Sequence, residues 1–273
     1  MREINVVLII ILSVFNNCVI ADDVKPKSYS FGFVPQQSPS KLAKNWSPIL
    51  KRIEKITGVK LLFKTAPDIP RFEKRLKKGE YDFAYMNPYH YTVYHEDPGY
   101  EAFAKQKNKK IKGIVVVRKD NDIKNVNMLS NRILAFPAPA AFAATVLPKA
   151  SFKRVGVPIS SQYVKSHDSV YRVVASGLYP AGGGIQRTFD SVDPEVRNKL
   201  RILWETDKYT PHAFAVHPRV SFETVKKVTA AMLSISSTSE SKSLLSPIKF
   251  DGFAKAENSH WDDVRSLKIN LLD

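Results

Sequence analysis

Strand and helix patterns alternate along this chain, and no other feature constrains the fold more. Residues 29–34 alternate around Phe31 and Phe33 and stop at a Pro/Gln/Ser loop, 35–39. Ser47 and Pro48 then read as a helix N-cap with proline in the first turn. Ile49, Leu50, Ile53 and Ile56 follow on one helical face, and Gly58 closes the helix. Residues 59–65 alternate again and break at 66–68. Phe72 and Leu76 mark a short basic helix ending at Gly79, and 81–86 is the next strand. The β-branched run 114–117 has the character of a strand covered on both faces. Strands at 132–136, 200–204 and 213–216 continue the pattern, with helices at 140–147 and 168–175. After Ser221 a last helix turns Val225, Val228, Met232 and Leu233 inward. This order makes an α/β protein with largely parallel sheets.

Composition narrows the class further. With 273 residues, 44% apolar and 25% charged, the chain is neither disordered, collagen-like nor a coiled coil. Its 42 Lys and Arg against 26 Asp and Glu leave a net charge of +16. Such an excess points to an anionic partner, or else to nothing more than a solvated basic surface.

The amino terminus is an address. The apolar run 6–15 after Arg2 is too short for a bilayer and right for a secretory signal. Val19, Ile20 and Ala21 place the cleavage after Ala21, so 1–21 is expected to be removed. Lipidation at Cys18 is the alternative, in a poor context of Phe15, Asn16 and Asn17. Cleavage at Ala21 leaves a mature chain without cysteine, which suits a bacterial periplasm. Export argues against nucleic acid, and the absence of a second long apolar stretch argues against stable membrane insertion.

Ligands of α/β proteins sit at the carboxyl ends of strands, where loops meet helix starts. That rule selects the loops 35–37, 66–68, 86–91, 137–143, 166–169 and 182–188, and with them Gln36 and Asp68. Enzyme signatures are weak. His167, Asp168 and Ser169 are adjacent in sequence and cannot form a relay. Gly182, Gly183 and Gly184 lack the Lys-Ser/Thr of a phosphate loop and read as a flexible turn. The histidine pairs His90/His95 and His212/His217 are spaced five apart, where a helical metal pair needs four. No catalytic residue, metal or cofactor is expected. The stronger clue is the cluster at 82–91, where Tyr85, Met86, Asn87, Tyr89 and Tyr91 join a strand end to an aromatic, polar loop suited to a small-molecule cleft.

The stretch GEYDFAYMNPYHY at 79–91 resembles the G-x-x-D-x-A-x-x-x-P-x-x-Y signature of substrate-binding proteins from phosphate/phosphite/phosphonate ABC importers. FGFVPQQSPSKLAKNWSPILKRIEKITG, IVVVRKD, AFPAPAAFAATVLP and SHDSVYRVVASG are similar to further landmarks of that family, in order, across about 29–252. The resemblance implies a two-lobed periplasmic binding protein, type II-like, with the cleft between two mixed or parallel sheets and a hinge. It divides the mature chain into lobe one, 22–117 and 211–273, and lobe two, 118–210. The implied function is a monomeric, non-enzymatic binder that delivers a small molecule to an ABC permease. The alternative is a sensory binder docking on a membrane receptor such as a histidine kinase or diguanylate cyclase.

Departures from the family pattern bear on the ligand. Phosphonate and phosphite binders carry a D-P-x-S-T-S-G turn whose hydroxyls hold the oxyanion. Here 138–144 reads APAAFAA, so Ala141, Phe142 and Ala143 replace all three hydroxyls. Each lost partner costs roughly 1–3 kcal/mol in a closed cleft. His167 keeps the family's histidine position. Aminoalkyl-phosphonate binders place carboxylates in segments matching 182–188 and 211–215, where this chain has Arg187, Thr188 and His212 and no acid. The expected ligand is therefore anionic and not a typical phosphonate, held by His167 and Arg187 opposite the tyrosine wall.

Overall fold

A computed structural model describes residues 28–235 and 239–272; the run 6–15, Cys18 and the expected cleavage site at Ala21 lie outside the described residues. The first part of the chain forms β1 (Ser28–Phe33), α1 (Pro39–Thr57), β2 (Lys60–Lys64), α2 (Ile69–Lys77), β3 (Phe83–Met86), α3 (Pro88–Glu96) and β4 (Glu101–Gln106). The middle forms β5 (Gly113–Arg118), β6 (Arg132–Phe136), a π-helical turn (Phe142–Val146) running into α4 (Leu147–Arg154), β7 (Ile159–Tyr163) and α5 (His167–Ala175). It continues through β8 (Ala181–Ile185), α6 (Gln186–Asp190), α7 (Pro194–Arg197) and β9 (Leu200–Glu205). The last part holds β10 (Ala213–Val216), α8 (Phe222–Ile235), α9 (Ser239–Leu245), β11 (Phe253–Lys255) and α10 (Asp262–Arg265).

These strands divide into two sheets, one per lobe, ordered β11-β4-β10-β3-β1-β2 and β7-β6-β8-β5-β9. β1 is parallel to β2 and β3, and β6 to β7 and β8. β10 runs antiparallel to β3 and β4, and β5 antiparallel to β8 and β9. Both sheets are therefore mixed rather than largely parallel. Apart from β11, which runs antiparallel to β4, the antiparallel members are the strands by which the chain enters each sheet at the two lobe crossings, without an intervening helix. Val117, the expected first boundary, lies inside β5 in the second sheet, so the chain crosses earlier, between β4 and β5. The return runs between β9 and β10. An antiparallel bridge between Ile111 and Tyr209 ties the two crossings together.

Helix α1 starts earlier than Ser47-Pro48 suggests. Ser38 caps it, accepting from the Lys41 N–H, and Pro39 occupies the first turn, so the same Ser-Pro signal operates nine residues upstream. Pro48 sits inside the helix, where the buried stripe Leu42, Trp46, Ile49, Leu50 and Ile53 runs past it. That stripe packs on the aromatic face of the first sheet. Phe31 and Phe33, two residues apart and so on one face, stack at 4.8 Å, and Trp46 lies 4.7 Å from Phe33. Each such buried ring contributes about 1.5–3 kcal/mol.

In the second lobe, β5 is covered on both sides as its β-branched run predicts. Ile114 and Val116 pack with Val170, Tyr171 and Val174, while Val115 and Val117 face Leu134, Phe136 and Phe152. The glycine run is not a flexible turn. Gly182, Gly183 and Gly184 form the middle of β8, fully within the sheet. A Cβ on Gly183 would stand 1.9 Å from the Ala144 carbonyl oxygen, and one on Gly113 would stand 2.1 Å from that of Ala143. The bare strands let the π-helical backbone lie directly on the sheet. Among the described residues no helix is long and apolar enough to cross a membrane.

Candidate ligand-binding cleft

Gln36 is the centre of the site. It follows β1 and meets three groups at once. Its backbone carbonyl accepts from the His167 N–H at the start of α5 (3.1 Å). Its side-chain oxygen accepts from the Arg187 guanidinium of α6, and its amide nitrogen lies 2.9 Å from His212 Nε2. The oxygen contact to Arg187 orients the amide, so its nitrogen donates and His212 Nε2 must be the unprotonated acceptor. Nearby, Asn87 caps α3 by accepting from the His90 N–H and donates across the lobes to the Ala140 carbonyl (3.1 Å). Lys41 adds a further bridge to the Ser191 carbonyl. The lobes are thus latched by the chain's own polar groups.

His167 is 2% exposed, with Nδ1 3.1 Å from the Thr188 hydroxyl. Thr188 in turn bonds the Tyr171 hydroxyl (2.8 Å), so Thr188 orients the imidazole. Burial, reinforced by the Arg187 charge, pushes the His167 pKa down to about 3. His212 is driven well below the ordinary histidine value by the same two causes, with His90 and His167 adding smaller effects. Both rings are neutral at physiological pH, and Arg187 carries the positive charge of this wall.

Two spaces flank these residues. The deep one, lined by Gln36, Asn87, Ala141, Phe142, Ala143, His167 and His212 among others, has a volume of only about 10 Å³. That is room for one water at most. Phe142 of the π-helical turn lines it, and the Phe142 ring packs edge-on against Tyr209 at 5.6 Å. The second, about 560 Å³, opens between the hinge and the carboxyl end of β8, against Tyr85, Gln106, Ile185 and Arg187. Ile111, Ile185 and His212 border both spaces and form the partition. Tyr85 stacks on His212 at 5.0 Å, and burial raises its phenol pKa.

Several sequence candidates belong elsewhere. Tyr89 turns away and its hydroxyl accepts from the Leu271 and Leu272 N–H groups, pinning the carboxyl-terminal segment. Tyr91 packs on Trp261 at 4.5 Å and donates to Asn258, with burial raising its pKa to about 12. Met86 is fully buried in β3 and lines neither space. Asp68 caps α2, accepting from the Arg71 N–H at 2.9 Å. The cause for the tyrosines is local: Asn87 and Pro88 start a helix directly after β3, and α3 carries Tyr89 and Tyr91 onto the body of lobe one. Conversely, Lys109, Lys110, Lys112 and Lys208 line the larger space and were absent from the candidates. The signal for the first three is the run 105–112, which holds five lysines in eight residues.

The model of the ABC transporter phosphonate periplasmic substrate-binding family matches residues 31–261. The chain belongs to that family. Its members are substrate-binding components of transport systems, not enzymes. The phosphate-import protein PhnD of Mycolicibacterium smegmatis is 22% identical over 235 residues, 74% of this chain and 70% of that protein. Two solved structures share the two-lobed fold. A binding-protein component of a Pseudomonas aeruginosa ABC phosphonate transporter superposes with a TM-score of 0.81 at 17% identity, covering 88% of this chain and 85% of that one. PhnD1 of Prochlorococcus marinus, in complex with methylphosphonate, gives 0.79 at 18% identity, covering 89% and 97%. This phosphonate-family binder therefore keeps the family's two-lobed frame.

Proposed function

We propose that the protein is the periplasmic solute-capture component of an ABC importer, and that it binds a small anion other than a typical phosphonate. One observation carries this reading. Arg187 lines the larger space and donates its guanidinium to the neutral amide of Gln36, which lines the deep one, rather than to a carboxylate. A cation so placed is a charge-assisted donor available to an anion. The hydroxyl-free turn at Ala141, Phe142 and Ala143 and the 10 Å³ volume beside it argue against a tetrahedral phosphonate in the deep space. The relatives recorded with phosphate import and methylphosphonate also handle anions. In this reading the mature chain acts as a monomer, freed of residues 1–21, and its hinge closes the lobes on the ligand for a permease.

A thermal-shift and calorimetric screen tests it, with orthophosphate, sulfate, carboxylates and phosphonates on the wild type and Arg187→Ala. At least one anion is expected to stabilise the wild type and to bind Arg187→Ala about tenfold more weakly or worse, the effect of losing a charged hydrogen bond. Methylphosphonate, phosphite and 2-aminoethylphosphonate are expected to bind more weakly than about 100 μM. Sub-micromolar binding of any of the three would overturn the ligand assignment. Indifference of every anion to Arg187→Ala would overturn the role of the arginine.

A further inference from the structure

The anion reading accounts for Arg187 but not for the other charges around the larger space. Lys109, Lys110 and Lys112 enter it from the first crossing and Lys208 from the second, and no Asp or Glu lines it. Lys110 is paired with Asp263 at 3.1 Å and Lys112 with Glu205. Lys109 and Lys208 have no ionic or hydrogen-bonded partner among the described residues, and Arg187 has no acidic one. Three uncompensated cations from three separate segments thus face one hollow of about 560 Å³. The volume is that of a small-molecule site. Like charges around a hollow repel one another and focus a positive potential into it, and an anionic occupant relieves both effects.

We infer that this hollow receives an extended polyanion, a chain of linked phosphoryl groups, with one end at Arg187 and the rest along Lys109 and Lys208. The inference rests on the reading of Arg187 as an anion contact. A single tetrahedral ion at Arg187 leaves both lysines uncompensated, and a dicarboxylate leaves one. A condensed phosphate repeats its charge on every unit and meets all three, whether free or attached to a nucleoside. The neutral His212 and the Tyr85 ring give the hollow an uncharged floor that does not compete for the anion.

Calorimetry at physiological ionic strength, where loose surface attraction is screened, tests this with tripolyphosphate, ATP, orthophosphate and citrate. Tripolyphosphate is expected to fill a single site at least about tenfold more tightly than orthophosphate or citrate. The double variant Lys109→Ala/Lys208→Ala should lose about tenfold or more, while Lys226→Ala/Lys227→Ala, an equal charge loss on the exposed face of α8, should lose nothing. ATP binding at least as tightly as tripolyphosphate supports the nucleoside-linked form, and weaker ATP binding supports the free chain. Equal affinity for orthophosphate and tripolyphosphate overturns the inference. So does an equal loss in both lysine pairs, which is general charge attraction. An Arg187→Ala effect with no hinge-lysine effect removes only the extended ligand, and no Arg187→Ala effect on any anion removes the underlying reading with it.

Discussion

Gly183→Ala is expected to lower the melting temperature by about 6–12 °C, corresponding to a loss of at least about 3 kcal/mol in a chain of this size. The added methyl would lie 1.9 Å from the Ala144 carbonyl oxygen and 2.7 Å from the Phe136 ring. Neither neighbour can yield cheaply. The carbonyl belongs to the π-helical turn that forms the floor of the deep space, and Phe136 is a fully buried strand residue. Relief requires lifting the turn off the sheet, which opens a void in a close-packed interior. Gly156→Ala is the control. Its φ is +71° and nothing lies within 4 Å of the new Cβ, so only the left-handed backbone cost of about 1–2 kcal/mol applies. A Gly183→Ala protein melting within about 2 °C of wild type would contradict the close seating of the turn on β8.

Mild acid is expected to cost nearly as much. His167 titrates at about 3 in the folded chain and near 6.5 when unfolded, so between these values the unfolded state binds the extra proton. Stability from this group is complete above about pH 6.5 and declines as pH falls toward 3. At pH 5 His167 alone accounts for about 2 kcal/mol, and His212, depressed for the same reasons, acts in the same direction. Asp168 opposes them, because burial raises its pKa and the folded state then gains the proton more readily. The net fall in melting temperature from pH 7.5 to pH 5 is expected to be about 4–8 °C. His167→Gln should flatten that profile. A wild-type profile flat over this interval would mean that the two rings are not buried neutral.

How much of this was legible beforehand depends on the range over which each signal acts. The run 114–117 announces a strand covered on both faces, and such a strand is found between α5 and α4. His167 and Arg187 stand out through the family resemblance and the loops it falls on, and Gln36 joins them in the structure through its own amide and carbonyl. The glycine run misleads because glycine marks both flexible turns and close backbone approach, and only the tertiary neighbour of Gly183 separates the two. Tyr89 and Tyr91 read as cleft residues because their chemistry suits one. Their direction is set by the Asn87-Pro88 helix start, a local signal that outweighs the composition of the cluster. The hinge lysines are visible as a charge run, yet their meeting with Lys208 and Arg187 depends on pairing of residues about a hundred apart.

The place of β10 in the first sheet has a consequence for how the chain acquires its structure. β10 lies between β4 and β3, pairing with both, and it follows the whole of the second lobe in sequence. Until it docks, β11 and β4 have no connection through the sheet to β3, β1 and β2. The second sheet draws all its strands from one continuous stretch, Gly113–Glu205, and needs nothing from outside. Its contacts close shorter loops and carry the smaller entropic cost. Lobe two is thus expected to complete first, with lobe one remaining two half-sheets until its keystone strand arrives. In pulsed hydrogen exchange the amides of β6 and β8 should gain protection before those of β3 and β4, and the reverse order would refute the sequence of events. In a chain organised in this way one lobe is complete while the other still waits for a strand that lies beyond it in sequence.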